Sequence, residues 1–487
     1  MSTTLSTERL HELDALIEPI LVKSRTPGVG LAVVADDSVV YARGFGRRDL
    51  AAGLPMTAET IYPIASTSKA MNAALLGMLV DEGLLAWDVP VQRYIPRFRL
   101  GDEFISSRTT LRDLVTMRTG LPRHDWLWTE NPQSRAQLVE RLAHLELSAG
   151  FRERFQYNNL TVTAAGHIAE IVTGQSWEAL VARRIFEPLG MRRSSFSALP
   201  EERTTSYHES VDGRLLVSPR FATEVTAPSG GSIHSDLHDM ARWMLFNLNG
   251  GTVNGRALLR EQTLREIHSP QIVVPGGPAA RKPNSSYALG WTVDNYRGRT
   301  RVSHGGYLHN VNSEIVLFPA ERVGILSFTN FGPPMLALLI CEHAAQLLMG
   351  LAQTTSLEAK LSQYRGQIEG NLSRMAVVPR VENTVYSHQI ADYAGRYEHP
   401  GYGALQIEAH DGELTFRRHN LSLALQHWHY DSWTFQHSEL FETNEPQPFD
   451  GASHVLFETD TRGAISALTI RLEPAVAPLR FKRATAL

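Results

Sequence analysis

Among the first 22 residues, Leu10, Leu13, Leu16, Ile17, Ile20 and Leu21 stand three or four positions apart between charged side chains, which predicts an amphipathic helix over 1–22. It holds no continuous apolar stretch and does not read as a signal peptide. Gly28–Ala35 and Val39–Phe45 are β-rich runs parted by Asp36-Asp37-Ser38, the pattern of a hairpin. From about Ser66 to Arg242 the period is helical, in Ser66–Asp81, Leu111–Met117, Ser134–Leu145, Thr161–Thr173 and Trp177–Phe186, so the middle of the chain reads as an all-α lobe. Strand patterns return at Thr300–Tyr307, Val311–Phe318 and Arg322–Thr329, followed by an apolar helix, Met335–Met349. One sheet thus draws strands from both ends of a first domain, with helices on its flanks.

A polar helix over Ser356–Ser373 leads into a Pro-containing stretch without periodicity, Val377 to Thr384. From Asp392 onward short alternating strands recur, among them Gly403–Ala409, Glu413–Phe416, Trp433–Phe435, His454–Glu458, Ala467–Arg471 and Leu479–Lys482, with turns at Asp411-Gly412 and Arg462-Gly463. They predict a small antiparallel β-barrel. The expected division is a catalytic domain over 1–350, a helical linker over 351–388 and a β domain over 389–487. The fold class is α/β in composition, α+β in layout.

The length of 487 residues agrees with two domains, since single cores stop growing near ~250–300 residues. With 47 basic and 51 acidic side chains and a net charge of -4, there is no electrostatic case for a nucleic-acid or anionic-membrane partner. No run approaches the ~18 apolar residues of a membrane span, so the expected location is the cytoplasm. The lone Cys341 excludes an internal disulfide and sits in an apolar run, Leu336 to Cys341, that reads as buried.

Only 5 of the 47 basic residues are lysines, and one of these, Lys69, follows a serine by three positions. In Ser66-Thr67-Ser68-Lys69 that spacing is one helical turn, and Met71, Ala74, Leu75, Met78 and Leu79 then mark a buried helix. Ser66 would stand at the positive end of the helix, beside an amine whose burial favours the neutral form. A neutral Lys69 could take the Ser66 proton. The bland alternative is an N-cap with a surface lysine, but a cation in the first turn opposes the macrodipole.

Phe155-Gln156-Tyr157-Asn158-Asn159 precedes the helix from Thr161 and could present Tyr157 and Asn159 on one side. A phenol beside an ammonium has a lowered pKa and can relay a proton, while Asn159 can bond both Lys69 and a substrate carbonyl; the alternatives are packing for Tyr157 and an N-cap for Asn159. Val302-Ser303-His304-Gly305-Gly306-Tyr307 ends a strand pattern, where paired glycines admit a close backbone approach. There His304 would face the cleft, and the Tyr307 N–H would join that of Ser66 as an oxyanion hole.

These three constellations, in this order, resemble the serine β-lactamase and penicillin-binding-protein superfamily, closest to its class C-like, esterase and D-peptidase branch. The likeness covers about residues 8 to 350 and extends to Thr110–Pro122 and Tyr287-Ala288-Leu289-Gly290-Trp291. The segment around Asp392–Tyr397 is similar to a lipocalin-like barrel appended to some D-stereospecific peptidases. The resemblance implies catalysis by Ser66, Lys69, Tyr157 and His304, with Asn159, Gly305, Gly306 and Tyr307 holding substrate. It implies a peptidase acting on small or D-residue-containing peptides, with esterase side activity; acyl transfer or peptide cyclisation and a non-turning-over β-lactam sensor are the alternatives. His304-Gly305-Gly306 stands where β-lactam-acting members carry K-T-G, so a substrate carboxylate next to the scissile bond should be held less strongly.

His124-Asp125-Trp126-Leu127-Trp128 reads as a cleft wall or a packed loop. His427 and His429, with His419 and His437 nearby, lack a thiol or carboxylate cluster to complete a metal set. Neither a metal nor an organic cofactor is expected, and the partner is a small-molecule or peptide substrate.

Overall fold

Gly28–Ala35 (β1) is apolar at every position because both of its faces are covered, and alternate side chains go to different cores. Val29, Leu31 and Val33 pack under helix α1 (Thr7–Ser24) and a C-terminal helix, while Ala32 and Val34 join the larger core beneath the helical lobe. This computed structural model describes residues 7–129, 131–197, 202–210, 213–220, 222–276, 282, 284–333, 335–352, 356, 359–363, 366, 379–436 and 452–484.

β1 pairs with β2 (Ser38–Asp49), which pairs with the short β3 (Leu54–Pro55). The other strands come from far along the chain: β4 (Ile272–Val273), β5 (Ser286–Tyr287), β6 (Thr292–Tyr296), β7 (Arg299–Leu308), β8 (Val311–Phe318) and β9 (Val323–Thr329). The antiparallel sheet runs β4-β5-β6-β7-β8-β9-β1-β2-β3, so the chain's first hairpin closes onto β9 with Leu31 opposite Ser327. Helix α2 (Ser68–Asp81) is apolar nearly all round and is sealed between the sheet and the lobe. The lobe includes α3 (Asn159–Thr173), and α4 (Leu237–Leu248) packs back on β1 and β9. Helix α5 (Leu336–Leu348) covers the far face and buries Cys341.

The C-terminal strands close into a barrel of eight: β10 (Gly395–His399), β11 (Gly403–His410), β12 (Glu413–Arg418), β13 (Leu421–His429), β14 (Ser432–Gln436), β15 (Ala452–Thr459), β16 (Ile465–Ile470) and β17 (Leu479–Arg483). Tyr397 opposite Arg483 shuts it. Its interior is aromatic, with Phe416, Trp433, Phe435, Phe457 and Phe481 buried. The expected hairpin, lobe and barrel are all present. β10 and β13 are strands beyond those the pattern had marked. In β13 the register slips between His427 and His429, and His427 packs on Tyr386 and Trp433. Of the expected helix over Ser356–Ser373, residues 359–363 are helical and most of the remainder lies outside the described residues. No described helix is long and apolar enough to cross a membrane.

Candidate active site

Ser66 lies in a tight helical turn, Ala65–Thr67, that runs directly into α2, so the helix proper starts two residues later than the spacing suggested. The turn is forced: Ala65 has φ of 52°, a left-handed conformation that a non-glycine residue holds only under constraint. Two glycines supply the constraint by letting backbone close in. A Cβ on Gly230, itself at φ +135°, would fall 2.8 Å from Ser66 N, and one on Gly306 of β7 would fall 2.5 Å from the Ile64 carbonyl.

Tyr157 is placed by the segment that includes Thr110–Pro122. Thr110 caps its helix, the buried Asp113 is clasped by Arg118 and Arg152, and Met117 accepts Gln156 N–H through its carbonyl at 3.0 Å. Asn158 is the N-cap of α3, its Oδ1 accepting Thr161 N–H at 2.8 Å, while its amide is anchored on the Pro122 carbonyl. The cap is therefore Asn158 rather than Asn159. Asn159 is free to turn inward.

Four predicted residues meet. Tyr157 O–H donates to Ser66 Oγ at 2.8 Å, and Lys69 Nζ stands 3.1 Å from the same oxygen. Lys69 Nζ also donates to Asn159 Oδ1 at 2.7 Å and to the Ser229 carbonyl at 2.5 Å. Asn159 Nδ2 reaches Asp125 Oδ1 at 3.4 Å, which fixes the orientation of the amide. Both acceptors around Lys69 can only accept. A neutral amine gives them its two N–H groups and leaves its lone pair for the Ser66 hydroxyl. Burial, and then the Arg123 cation, push the Lys69 pKa well below the usual lysine range, against an upward pull from Asp125.

Two basic side chains flank the Tyr157 ring: Lys69 Nζ lies 4.7 Å and the Arg123 guanidinium 5.0 Å from its centroid. Arg123 Nε donates to Asp125 Oδ2 at 2.6 Å. Arg123 and Ser229 are members of the site that sequence reasoning did not assign. Asp125 was marked only as part of His124–Trp128, read as a cleft wall or a packed loop.

His304 is buried on β7, and an aromatic relay connects its ring to Tyr157. Its Nδ1 donates to the Gly305 carbonyl at 2.6 Å, leaving Nε2 to accept from Tyr287 O–H at 3.0 Å. Tyr287 packs on Phe155, and Phe155 on Tyr157. Gly306 lies against the Ser66 turn, whereas Gly305 faces the opposite side of the sheet, toward Glu314. Tyr307 follows on the same strand, opposite Asn312. Among the described residues no cluster of His, Cys, Asp and Glu is suited to a metal.

An antiparallel sheet roofed by a helical lobe, with a Ser-x-x-Lys turn beneath a Tyr-Asn-Asn loop, defines a serine hydrolase of the β-lactamase type. The family described as Beta-lactamase matches residues 13–347, and the chain belongs to that family. Residues 379–483 match a domain of unknown function, DUF3471. The chain is similar to Unguisins hydrolase ungD of Aspergillus violaceofuscus, 28% identical over 430 residues, covering 80% of this chain and 75% of that protein. It is also similar to Protein flp of Staphylococcus aureus, 26% identical over 373 residues, covering 74% of this chain and 71% of that protein. In fold it matches the octameric penicillin-binding protein homologue from Pyrococcus abyssi, with a TM-score of 0.62 and 22% identity over 97% of this chain and 99% of that one.

Proposed function

We propose that the protein cleaves amide or ester bonds through an acyl-enzyme on Ser66, acting as a peptidase on small or D-residue-containing peptides with esterase side activity. The observation that carries this reading is the convergence of Lys69 Nζ and Tyr157 O–H on Ser66 Oγ, with Lys69 buried. Ser66 gives its proton to Lys69 as its oxygen bonds the carbonyl carbon. The oxyanion that forms is held by the N–H groups of Ser66 and Tyr307. When the bond to the leaving group breaks, Tyr157 protonates that group and remains as a phenolate next to the Lys69 ammonium. Water then attacks the acyl carbon and returns a proton to Tyr157; Lys69 reprotonates Ser66 as the acid leaves. Atoms and charges balance over the cycle without a metal or organic cofactor.

Asn159 orients Lys69 and reaches the substrate carbonyl, while His304 and Gly305 shape the β7 wall. The name of the ungD relative supports hydrolysis as the reaction type. The partner is a small-molecule or peptide substrate, with no nucleic acid or membrane.

A fluorophosphonate should label Ser66 and nothing in Ser66→Ala, and p-nitrophenyl acetate should be turned over steadily. A stoichiometric burst without further release would make the chain a sensor. Amide products formed on adding an amine would make it an acyl transferase or cyclase. A library of L- and D-configured peptides read against Ser66→Ala then assigns the acyl group, and loss of turnover restricted to L-peptides would overturn the D-peptide reading.

A further inference from the structure

His124 sits between the two charged residues that face Lys69, and it is strained. Its φ of 46° and ψ of 40° are left-handed, and the residue is fully buried. Two of the three groups that hold it come from the barrel. The His124 backbone N–H donates to Glu473 Oε2 at 2.7 Å, and Glu473 is itself fixed by Ala475 N–H on its other oxygen at 3.0 Å. On the side chain, Nε2 lies 3.0 Å from the Glu146 carbonyl, which can only accept, so Nε2 carries the proton and Nδ1 accepts from Tyr402 O–H at 2.8 Å. Next along the chain, Trp126 enters the barrel mouth edge-on to Phe416 and Phe435, with centroids 6.4 and 6.3 Å away. The loop therefore has two sides. Residues 124 and 126 belong to the barrel; 123 and 125 belong to the active site.

We propose that the C-terminal barrel is part of the proton machinery: Glu473 and Tyr402 clamp His124, and the clamp holds Arg123 and Asp125 against Lys69 and Tyr157. Glu473 and Tyr402 are positioning residues, acting through the loop on the site read above as catalytic, and the inference rests on that reading. The groups that face Lys69 are Arg123 and Asp125 from the loop, Tyr157 and the neutral Asn159 from the start of α3, the Ser229 carbonyl, and Tyr287 with His304 from the sheet through Phe155. Around His124 stand Glu473, Tyr402, Glu146, Asp125 and, on the barrel, His399. Of the charges acting on Lys69, Arg123 is the strongest, and it lowers the pKa. Releasing the loop removes that influence, so Lys69 becomes more basic and the rate of Ser66 acylation falls off at a higher pH.

The experiment measures the rate of Ser66 phosphonylation by a fluorophosphonate against pH, in the full chain, for wild type, Glu473→Ala, Glu473→Gln, Tyr402→Phe, Arg123→Gln and Arg123→Gln/Glu473→Ala. Glu473→Ala and Tyr402→Phe should raise the acid-side midpoint by about half to one pH unit. Glu473→Gln, which still accepts the His124 N–H, should restore it. In the Arg123→Gln background Glu473→Ala should add no further shift, because both act by one route. A direct charge effect of Glu473 has the opposite sign: losing a carboxylate would lower the midpoint, and Gln would not rescue it. That result, a full additional shift in the double variant, or an unmoved midpoint in both Tyr402→Phe and Glu473→Ala would overturn the inference while leaving the catalytic reading intact. Failure to label Ser66 in wild type would overturn both. Tyr402→Phe removes one hydroxyl and serves if Glu473→Ala does not fold.

Discussion

Arg123→Gln isolates one charge from the proton machinery, and its size can be worked out. Lys69 Nζ and the Arg123 guanidinium lie 4.7 and 5.0 Å from one ring centroid, which places the two cations no more than about 10 Å apart. At an effective dielectric of ~20 two unit charges at ~10 Å repel by about 1.7 kcal/mol, equivalent to roughly one pH unit. Removing Arg123 also frees Asp125, whose carboxylate loses its 2.6 Å partner and attracts the ammonium more strongly. Both changes favour protonated Lys69. The sign follows: the Lys69 pKa rises, the amine is neutral only at higher pH, and the acid limb of kcat/KM moves upward. At pH values below both midpoints the rate falls about tenfold, while the alkaline plateau is kept. The assay is p-nitrophenyl acetate hydrolysis at constant ionic strength from about pH 5 to 10, with Arg123→Lys as the charge-preserving control. A midpoint that stays put or moves to lower pH refutes the electrostatic account of Lys69, and a uniform loss at all pH values would assign Arg123 to substrate binding instead.

Tyr157→Phe keeps the ring and removes the proton donor, so turnover should drop by about 10²–10⁴-fold while the melting temperature stays near that of wild type. Gly230→Ala would put a Cβ 2.8 Å from Ser66 N at a φ of +135°; stopped turnover and a loss of more than about 2 kcal/mol in denaturant unfolding are expected. Burial, above all else, pushes His234, His268 and His399 down to about 4. The unfolded chain binds these protons first, so stability present above pH ~6.5 is lost as pH falls, about 1.4 kcal/mol per histidine by pH ~5.5, which chemical denaturation at a series of pH values would read. Arg418 lies inside the barrel with all three guanidinium nitrogens buried and without hydrogen-bond partners among the described residues, so Arg418→Met should leave stability unchanged or raise it by up to about 4 kcal/mol; a clear loss would mean that the charge is compensated.

The parts legible in the sequence share a local cause. The Ser66 turn, α2 and the Tyr157 loop each announce themselves within a dozen residues, by a polar motif set against a helical apolar stripe. β1 and β9 were visible because strands buried on both faces are nearly continuous in apolar residues. Asn159 was harder, since either asparagine of the pair could cap α3. What decides is the Pro122 carbonyl, which takes the Asn158 amide and leaves the next residue to Lys69. His304 was legible as a residue of the correct strand. Its partner was not, because Tyr287 is brought to it by two strand pairings, β5 with β6 and β6 with β7.

The loop at 123–128 defeated pattern reading for a deeper reason. Wall of the cleft and packed core were set against each other as alternatives, yet adjacent residues satisfy both. A helix or strand sorts its faces by period, but a left-handed residue at 124 reverses the direction of the chain within one step, so 123 and 125 leave toward Lys69 while 124 and 126 enter the barrel seam. Two of the three contacts that stabilise such a residue lie 278 and 349 positions away, in Tyr402 and Glu473. Nothing local asks for them. Strain at a single histidine is tolerated where surrounding groups over-determine it, and here two of the three belong to the other domain. A domain that merely decorated the catalytic one would have no need to hold the residue between its two charges.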